Sequence, residues 1–235
     1  MTHAVEQGAR MGSHGTVLLM IDMQNAYLRN DVRDVLGWPP IWRLSQVVEE
    51  CAQLLAAART VGIPVIYSRS VPSSAGLLAA NPRAGEHFRR RAINLPELAA
   101  EDSRWRTEIM DEVAPQAGDL VLDKTRPSFF TYTELAPLLR NMRAERLIVA
   151  GLQTNVCVEA TVRSALEHNF AVAVAEDAVS TDGPALHHGS LNSMRVMYVE
   201  VDTWRELIAP DAVWEKAFTT PNYGRDTGYW SEPPL

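Results

Sequence analysis

The sequence predicts an α/β protein built on a parallel sheet with helices on both faces. Three observations carry this. Short, continuous apolar runs such as Thr16–Ile21 and Leu147–Ala150 lack the alternation of half-exposed strands, and they suit strands buried on both sides. Between such runs lie segments whose apolar residues recur at helical spacing. The order is strand, helix, strand, a long excursion, then strand–helix alternation, which is the pattern of parallel strands joined by crossovers.

Thr16 to Ile21 is the first strand, followed by Asp22, Gln24 and Asn25. Residues 29–40 read as a loop, with Gly37-Trp38-Pro39-Pro40 as a breaker. From Ile41 to Thr60 a helix is predicted, with Leu44, Val47, Val48, Cys51, Leu54, Leu55 and Ala58 on one face and Gly62 at its end. Pro64 to Tyr67 makes the second strand, ending at Ser68-Arg69-Ser70. The excursion 71–118 is the least regular part. It offers a short helical piece at Glu86 to Arg91, where Arg89-Arg90-Arg91 reads as a solvated face or as a site for a carboxylate. It also offers a helix from Trp105 to Val113.

Asp119 to Asp123 is the third strand, with Lys124 at its carboxyl end. Thr133 to Asn141 reads as a helix with Pro137 in its first turn. The fourth strand is Leu147 to Ala150, and a helix follows from Asn155 to His168. Ala171 to Ala175 is the fifth strand, His187 to Met194 a helix, and Val196 to Val199 the last strand. One domain is expected over 15–208, preceded by a flexible, polar leader at 1–14. The tail, 209–235, carries Trp214, Phe218, Tyr223, Tyr229 and Trp230, and so aromatic a tail is expected to pack on its own domain or on a neighbouring subunit.

Composition sets limits on partners. The 235 residues are 46% hydrophobic, enough for a sizeable core, and carry a formal net charge of −7. That charge argues against nucleic acid or an anionic membrane surface as a partner. No run of eighteen apolar residues exists to span a bilayer. Two distant cysteines, Cys51 and Cys157, make no disulfide framework, so a reducing, cytoplasmic location is expected.

The chemistry centres on Gly151-Leu152-Gln153-Thr154-Asn155-Val156-Cys157-Val158. Gly151 is read as letting the backbone turn after the strand. Thr154 or Asn155 can cap the next helix, which puts Cys157 in its first turn. There the helix dipole and unpaired N–H groups favour a thiolate. The alternative is a buried cysteine packing as a small hydrophobe. Asp22 and Lys124 also follow predicted strands, and parallel strands gather their carboxyl ends along one crevice. In that grouping Cys157 attacks a carbonyl carbon, Asp22 carries its proton, and Lys124 orients both charges. The backbone N–H groups of Gln153 and Cys157 would hold the oxyanion. Taken singly, Asp22 also reads as a turn residue and Lys124 as a surface lysine.

Asp22-Met23-Gln24-Asn25, the strand-ending Lys124, and Gly151 through Val158 resemble the three signatures of the isochorismatase-like cysteine hydrolases, over roughly residues 15–208. The resemblance implies a three-layer, Rossmann-like fold with a six-stranded parallel sheet. It implies an Asp22–Lys124–Cys157 triad and a cis peptide at Leu152–Gln153 that aims the Gln153 N–H into the oxyanion hole. Members often carry a smaller residue where Gln153 stands. Isochorismatases proper lack the cysteine, so Cys157 points to C–N hydrolysis. Nicotinamidases carry an Asp-x-His metal motif after the second strand, where this chain has Ser68-Arg69-Ser70. The six histidines show no ligand spacing either, so neither metal nor cofactor is expected.

Asp22 through Tyr27, Phe129-Phe130 and Thr154 through Val158 look most like the ureidoacrylate and carbamoyl-amide hydrolases. The expected substrate is therefore a small linear amide or ureido compound. Asn25, Tyr27, Arg69, Phe129, Phe130 and Gln153 are the candidates for its pocket, Tyr27 and the phenylalanines being equally readable as core. The resemblance also implies a homo-oligomer, a dimer or tetramer. Two alternatives stand beside this reading: a nicotinamidase-like aromatic amide hydrolase, and a non-catalytic binding protein on the same fold.

Overall fold

The structure, a computed structural model, describes residues 15–28, 39–71 and 100–209. The leader 1–14, the Gly37-Trp38 part of the breaker, the arginine run at 89–91 and the aromatic residues of the tail lie outside the described residues. Six strands form one all-parallel sheet in the order β3-β2-β1-β4-β5-β6. They are β1 (Thr16–Ile21), β2 (Val65–Ser70), β3 (Leu120–Lys124), β4 (Arg146–Leu152), β5 (Ala171–Ser180) and β6 (Glu200–Asp202). The chain runs outward from β1 to β3, then returns beside β1 with β4 and runs outward the other way. The order reverses between β1 and β4, and a crevice at the strand carboxyl ends opens at such a reversal.

Two apolar layers cover the sheet, and the period-two alternation of each strand divides its side chains between them. Val17, Leu19 and Ile21 of β1 face one layer with Leu147 and Val149 of β4. That layer is closed by α4 (Leu135–Asn141), α5 (Glu159–Glu167) and α6 (Pro184–Val196). Leu18 and Met20 face the other, with Ile148 and Ala150. There α2 (Leu44–Thr60) buries Val47, Cys51, Leu54, Leu55 and Ala58, and α7 (Trp204–Leu207) adds Trp204 and Leu207. Among the described residues the remaining α-helices are α1 (Asn25–Leu28) and α3 (Ala100–Thr107). Among the described residues, no helix is long and apolar enough to cross a membrane.

The elements correct the sequence reading in four places. The stretch Trp105 to Val113 is not one helix: α3 ends at Thr107, Ile109 bridges to Gln24, and a 3-10 turn follows at Asp111–Val113. The bridge to Gln24, in the segment that follows β1, outweighs helical propensity there. The last strand is Glu200–Asp202, because α6 runs on to Val196 and Tyr198 takes a left-handed turn, φ 64°. β5 continues past Ala175 to Ser180, with an irregular register opposite Val149 to Gly151. Gly151 is a strand residue paired with Ile21, not a turn after the strand. Its φ is 105°, and a Cβ there would lie 2.2 Å from Ile21 O, so only glycine allows β1 and β4 to approach this closely.

Candidate active site

The carboxyl ends of β1, β3 and β4 bring three reactive side chains together. Asp22 follows β1 with φ 48°, a left-handed conformation uncommon outside glycine and typical of functional positions. Its Oδ2 lies 2.6 Å from Lys124 Nζ, and both side chains are fully buried. Lys124 Nζ also donates to Cys157 Sγ at 3.3 Å and to Arg126 O at 3.2 Å. Cys157 is 9% exposed and closes one end of the apolar layer beneath α5. Burial alone would lower the Lys124 pKa, but the adjacent Asp22 carboxylate, with Cys157 beside it, raises it above the ordinary value, so it is an ammonium.

Cys157 corrects a sequence expectation. The helix-start argument favours a thiolate, yet burial pushes the thiol up to about 12, with Asp22 opposing ionisation more than Lys124 assists it. The resting group is a thiol, and its activation needs a proton acceptor. The carboxylate at hand is Asp22, whose Oδ2 is paired with Lys124, the same ammonium that contacts Cys157. Asp22 Oδ1 is occupied: Ser68 Oγ donates to it at 2.6 Å. The same Ser68 Oγ accepts from Asp22 N at 3.1 Å, so one hydroxyl sets both carboxylate and backbone. Strand pattern alone does not single out Ser68. Its signal is register: it pairs with Ile21, the residue before Asp22.

Cys157 stands in a π-turn, Thr154–Val158, that leads into α5. Such turns are rare and concentrate at functional sites. Gln153 O accepts from Val156 N and Val158 N and passes over the N–H of Cys157 between them. The peptide Leu152–Gln153 is cis. Neither Thr154 nor Asn155 caps the helix as expected. Thr154 Oγ1 sits 3.0 Å from His187 Nδ1, and Asn155 Oδ1 accepts from Thr181 Oγ1 at 2.6 Å. Thr161 Oγ1 donates to Cys157 O at 2.7 Å and accepts from Phe129 N at 3.0 Å, tying the loop after Lys124 to the cysteine's helix.

The six pocket candidates fall in different surroundings. Gln153 lies beside the cysteine turn, half-buried, its Nε2 donating to Asp182 Oδ1 at 2.7 Å. Asn25 Nδ2 donates to Trp105 O at 3.0 Å, which anchors α1 to α3. Arg69 forks onto Asp123 across neighbouring strands, at 2.6 and 3.0 Å. Phe129 is fully buried, and Phe130 stacks on His168 with centroids 4.8 Å apart; both belong to the core. Tyr27 packs half-buried against the other apolar layer.

His187 carries a testable charge effect. Burial lowers its pKa to about 4, and the cationic groups His188, Arg43 and Arg195 add to this. The folded protein therefore binds fewer protons than the unfolded chain between pH about 6.5 and about 4, and stability falls as pH falls through that window. The full shift corresponds to a loss on the order of 3 kcal/mol. Urea unfolding at pH 7, 5.5 and 4.5 is expected to show a shallower pH slope for His187→Asn than for the parent chain. Equal slopes would contradict it.

A thiol, an ammonium and a carboxylate gather where a parallel sheet reverses its strand order, and this defines the class: an α/β protein with three reactive side chains at the carboxyl ends of its strands. Residues 16–206 match the family model described as Isochorismatase domain, and the chain belongs to the isochorismatase family of hydrolases. It is 33% identical over 193 residues to a ureidoacrylate amidohydrolase RutB of Methylorubrum extorquens, covering 78% of this chain and 77% of that protein. Among solved structures, an isochorismatase family protein from Desulfovibrio vulgaris subsp. vulgaris str. Hildenborough superposes with a TM-score of 0.69 at 28% identity, over 83% of this chain and 96% of that one. A cysteine hydrolase from Pseudomonas syringae pv. phaseolicola 1448A shares the fold, with a TM-score of 0.71 at 24% identity over 89% of this chain and 97% of that one.

Proposed function

We propose that this protein is a metal-independent cysteine amidohydrolase that cleaves a C–N bond in a small linear amide or a ureido or carbamoyl compound. The observation that carries the reading is the buried Lys124 ammonium, in contact with both Asp22 Oδ2 and Cys157 Sγ. The similarity to proteins named ureidoacrylate amidohydrolase supports the substrate class.

The steps follow from this arrangement. Asp22 takes the Cys157 proton as sulfur attacks the carbonyl carbon, while Lys124 steadies the negative charge that passes between them. The carbonyl oxygen becomes an oxyanion held by the N–H groups of Gln153 and Cys157. Asp22 then returns the proton to the leaving nitrogen, the C–N bond breaks, and amine or ammonia departs. A thioester or thiocarbamate remains on Cys157. Water adds to it, Asp22 accepts the water's proton, and the acid or carbamate leaves as the thiol is restored. At the position where nicotinamidases carry their metal motif, the residues of this chain have other duties, Ser68 on Asp22 and Arg69 on Asp123.

Product release from a panel of ureidoacrylate, N-carbamoyl amino acids, biuret and nicotinamide, with and without chelator, tests the reading. Turnover of a ureido or carbamoyl compound is expected, unchanged by chelator and lowered at least about 10³-fold by Cys157→Ala. Parent-like turnover by a folded Cys157→Ala variant would overturn the mechanism, and preferred turnover of nicotinamide would overturn the substrate class.

A further inference from the structure

The turn that carries Cys157 is held from outside by the segment 181–190, between β5 and the middle of α6. Four hydrogen bonds reach Gln153, Thr154 and Asn155 from it. Asp182 Oδ1 accepts from Gln153 Nε2 at 2.7 Å, and Thr181 Oγ1 donates to Asn155 Oδ1 at 2.6 Å. His187 Nδ1 meets Thr154 Oγ1 at 3.0 Å, and Ser190 Oγ donates to Thr154 O at 3.1 Å. Thr154, His187 and Ser190 are all buried, so the two bonds to Thr154 form without competition from water. His187 is itself wedged between Trp42 and His188, with ring centroids 5.2 and 5.0 Å away. Trp42 returns to the same segment, since its N–H donates to Thr181 O at 2.8 Å.

What this grip maintains is the π-turn. In a regular α-helix the Cys157 N–H would bond Gln153 O four residues back. Here that oxygen is taken by Val156 and Val158, and the Cys157 N–H is passed over. The π form is rare, so it must be held by its surroundings.

We infer that His187 is a positioning residue: through Thr154 it holds the π-turn and so keeps the Cys157 N–H available as an oxyanion donor. This rests on the reading of Cys157 as the nucleophile. Loss of the contact lets the turn tighten toward α-helical bonding, which ties up a donor while the thiol keeps its neighbours Lys124 and Asp22. The loss then falls on the transition state and not on substrate binding.

The test compares full-length Thr154→Val, Thr154→Ser, His187→Leu and the double variant Thr154→Val/His187→Leu. Four measurements are made: kcat and KM on an N-carbamoyl compound, single-turnover acylation of Cys157 by p-nitrophenyl acetate, alkylation of Cys157 by iodoacetamide, and the midpoint of urea unfolding. Acylation uses the oxyanion donors, whereas alkylation needs only the thiol. Thr154→Val and His187→Leu are expected to lower kcat and acylation roughly 10- to 100-fold, the scale of a weakened oxyanion donor, with KM and alkylation near the parent values. Thr154→Ser is expected to recover most of the loss, and the double variant to lose no more than either single one. Parent-like acylation by Thr154→Val would overturn the inference. So would a joint fall of acylation, alkylation and urea midpoint that Thr154→Ser fails to recover. If the parent protein is acylated but turns over no ureido or carbamoyl compound, the proposed substrate class fails, and acylation still decides the role of His187.

Discussion

Asp22→Asn is expected to abolish turnover while making Cys157 easier to alkylate. The two effects have one cause. Cys157 is held as a thiol, pushed up to about 12, and Asp22 is the charge that resists its ionisation. Replacing the carboxylate with an amide removes that opposition and leaves Lys124, 3.3 Å away, to favour the thiolate. Iodoacetamide, which needs only a thiolate, is expected to react faster at pH 7 than with the parent protein. Turnover also needs a group that gives a proton to the leaving nitrogen, and asparagine has none to give. A fall in kcat of about 10³-fold or more follows from losing an essential proton carrier. Slower alkylation together with slower turnover would show instead that Asp22 promotes the thiolate at rest, contrary to the geometry. Asn can still accept from Ser68 Oγ, so the scaffold around position 22 is expected to persist.

Gly151→Ala is expected to be the most damaging glycine-to-alanine change among the described residues. The added Cβ would meet Ile21 O at 2.2 Å and Ile21 N at 2.8 Å, both backbone atoms that no rotamer change can move. The φ of 105° adds backbone strain for any residue with a side chain. Relief requires β1 and β4 to part where the strand order reverses. Ile21 precedes Asp22, and Gly151 lies six residues before Cys157, so parting moves the proton carrier from the nucleophile. A loss of about 3 kcal/mol or more in urea unfolding is expected, in the range of large backbone effects. Residual folded protein is expected to lose turnover by about 10²-fold or more, as small misplacements of reacting groups do. Parent-like stability would mean that β1 and β4 separate without cost, which their paired register excludes.

Much of the fold was legible because its signals are local. β1 was readable at its observed bounds, since six successive buried residues leave an unbroken apolar run. The buried stripe of α2 follows from helical spacing. Asp22 and Lys124 stood out because each follows a strand, and parallel strands bring such ends together. Elements decided by pairing were harder to read. Ile109 bridges Gln24 across a large sequence gap, and no periodicity within Trp105 to Val113 encodes that.

By itself, then, the sequence determined the parallel sheet and the grouping of Asp22, Lys124 and Cys157, while the cis peptide at Leu152–Gln153 came only as what the family resemblance implies. Tertiary structure alone decided the charge state of the thiol, because burial and Asp22 outweigh a helix dipole that depends only on local position. It decided that Gly151 serves close approach to Ile21 and not a turn, that Ser68 orients Asp22, and that His187 grips Thr154. Each of these depends on which atoms meet across the sheet or between distant segments. Hydrophobic pattern records which face a residue presents, and it carries no information about the partner on the other side.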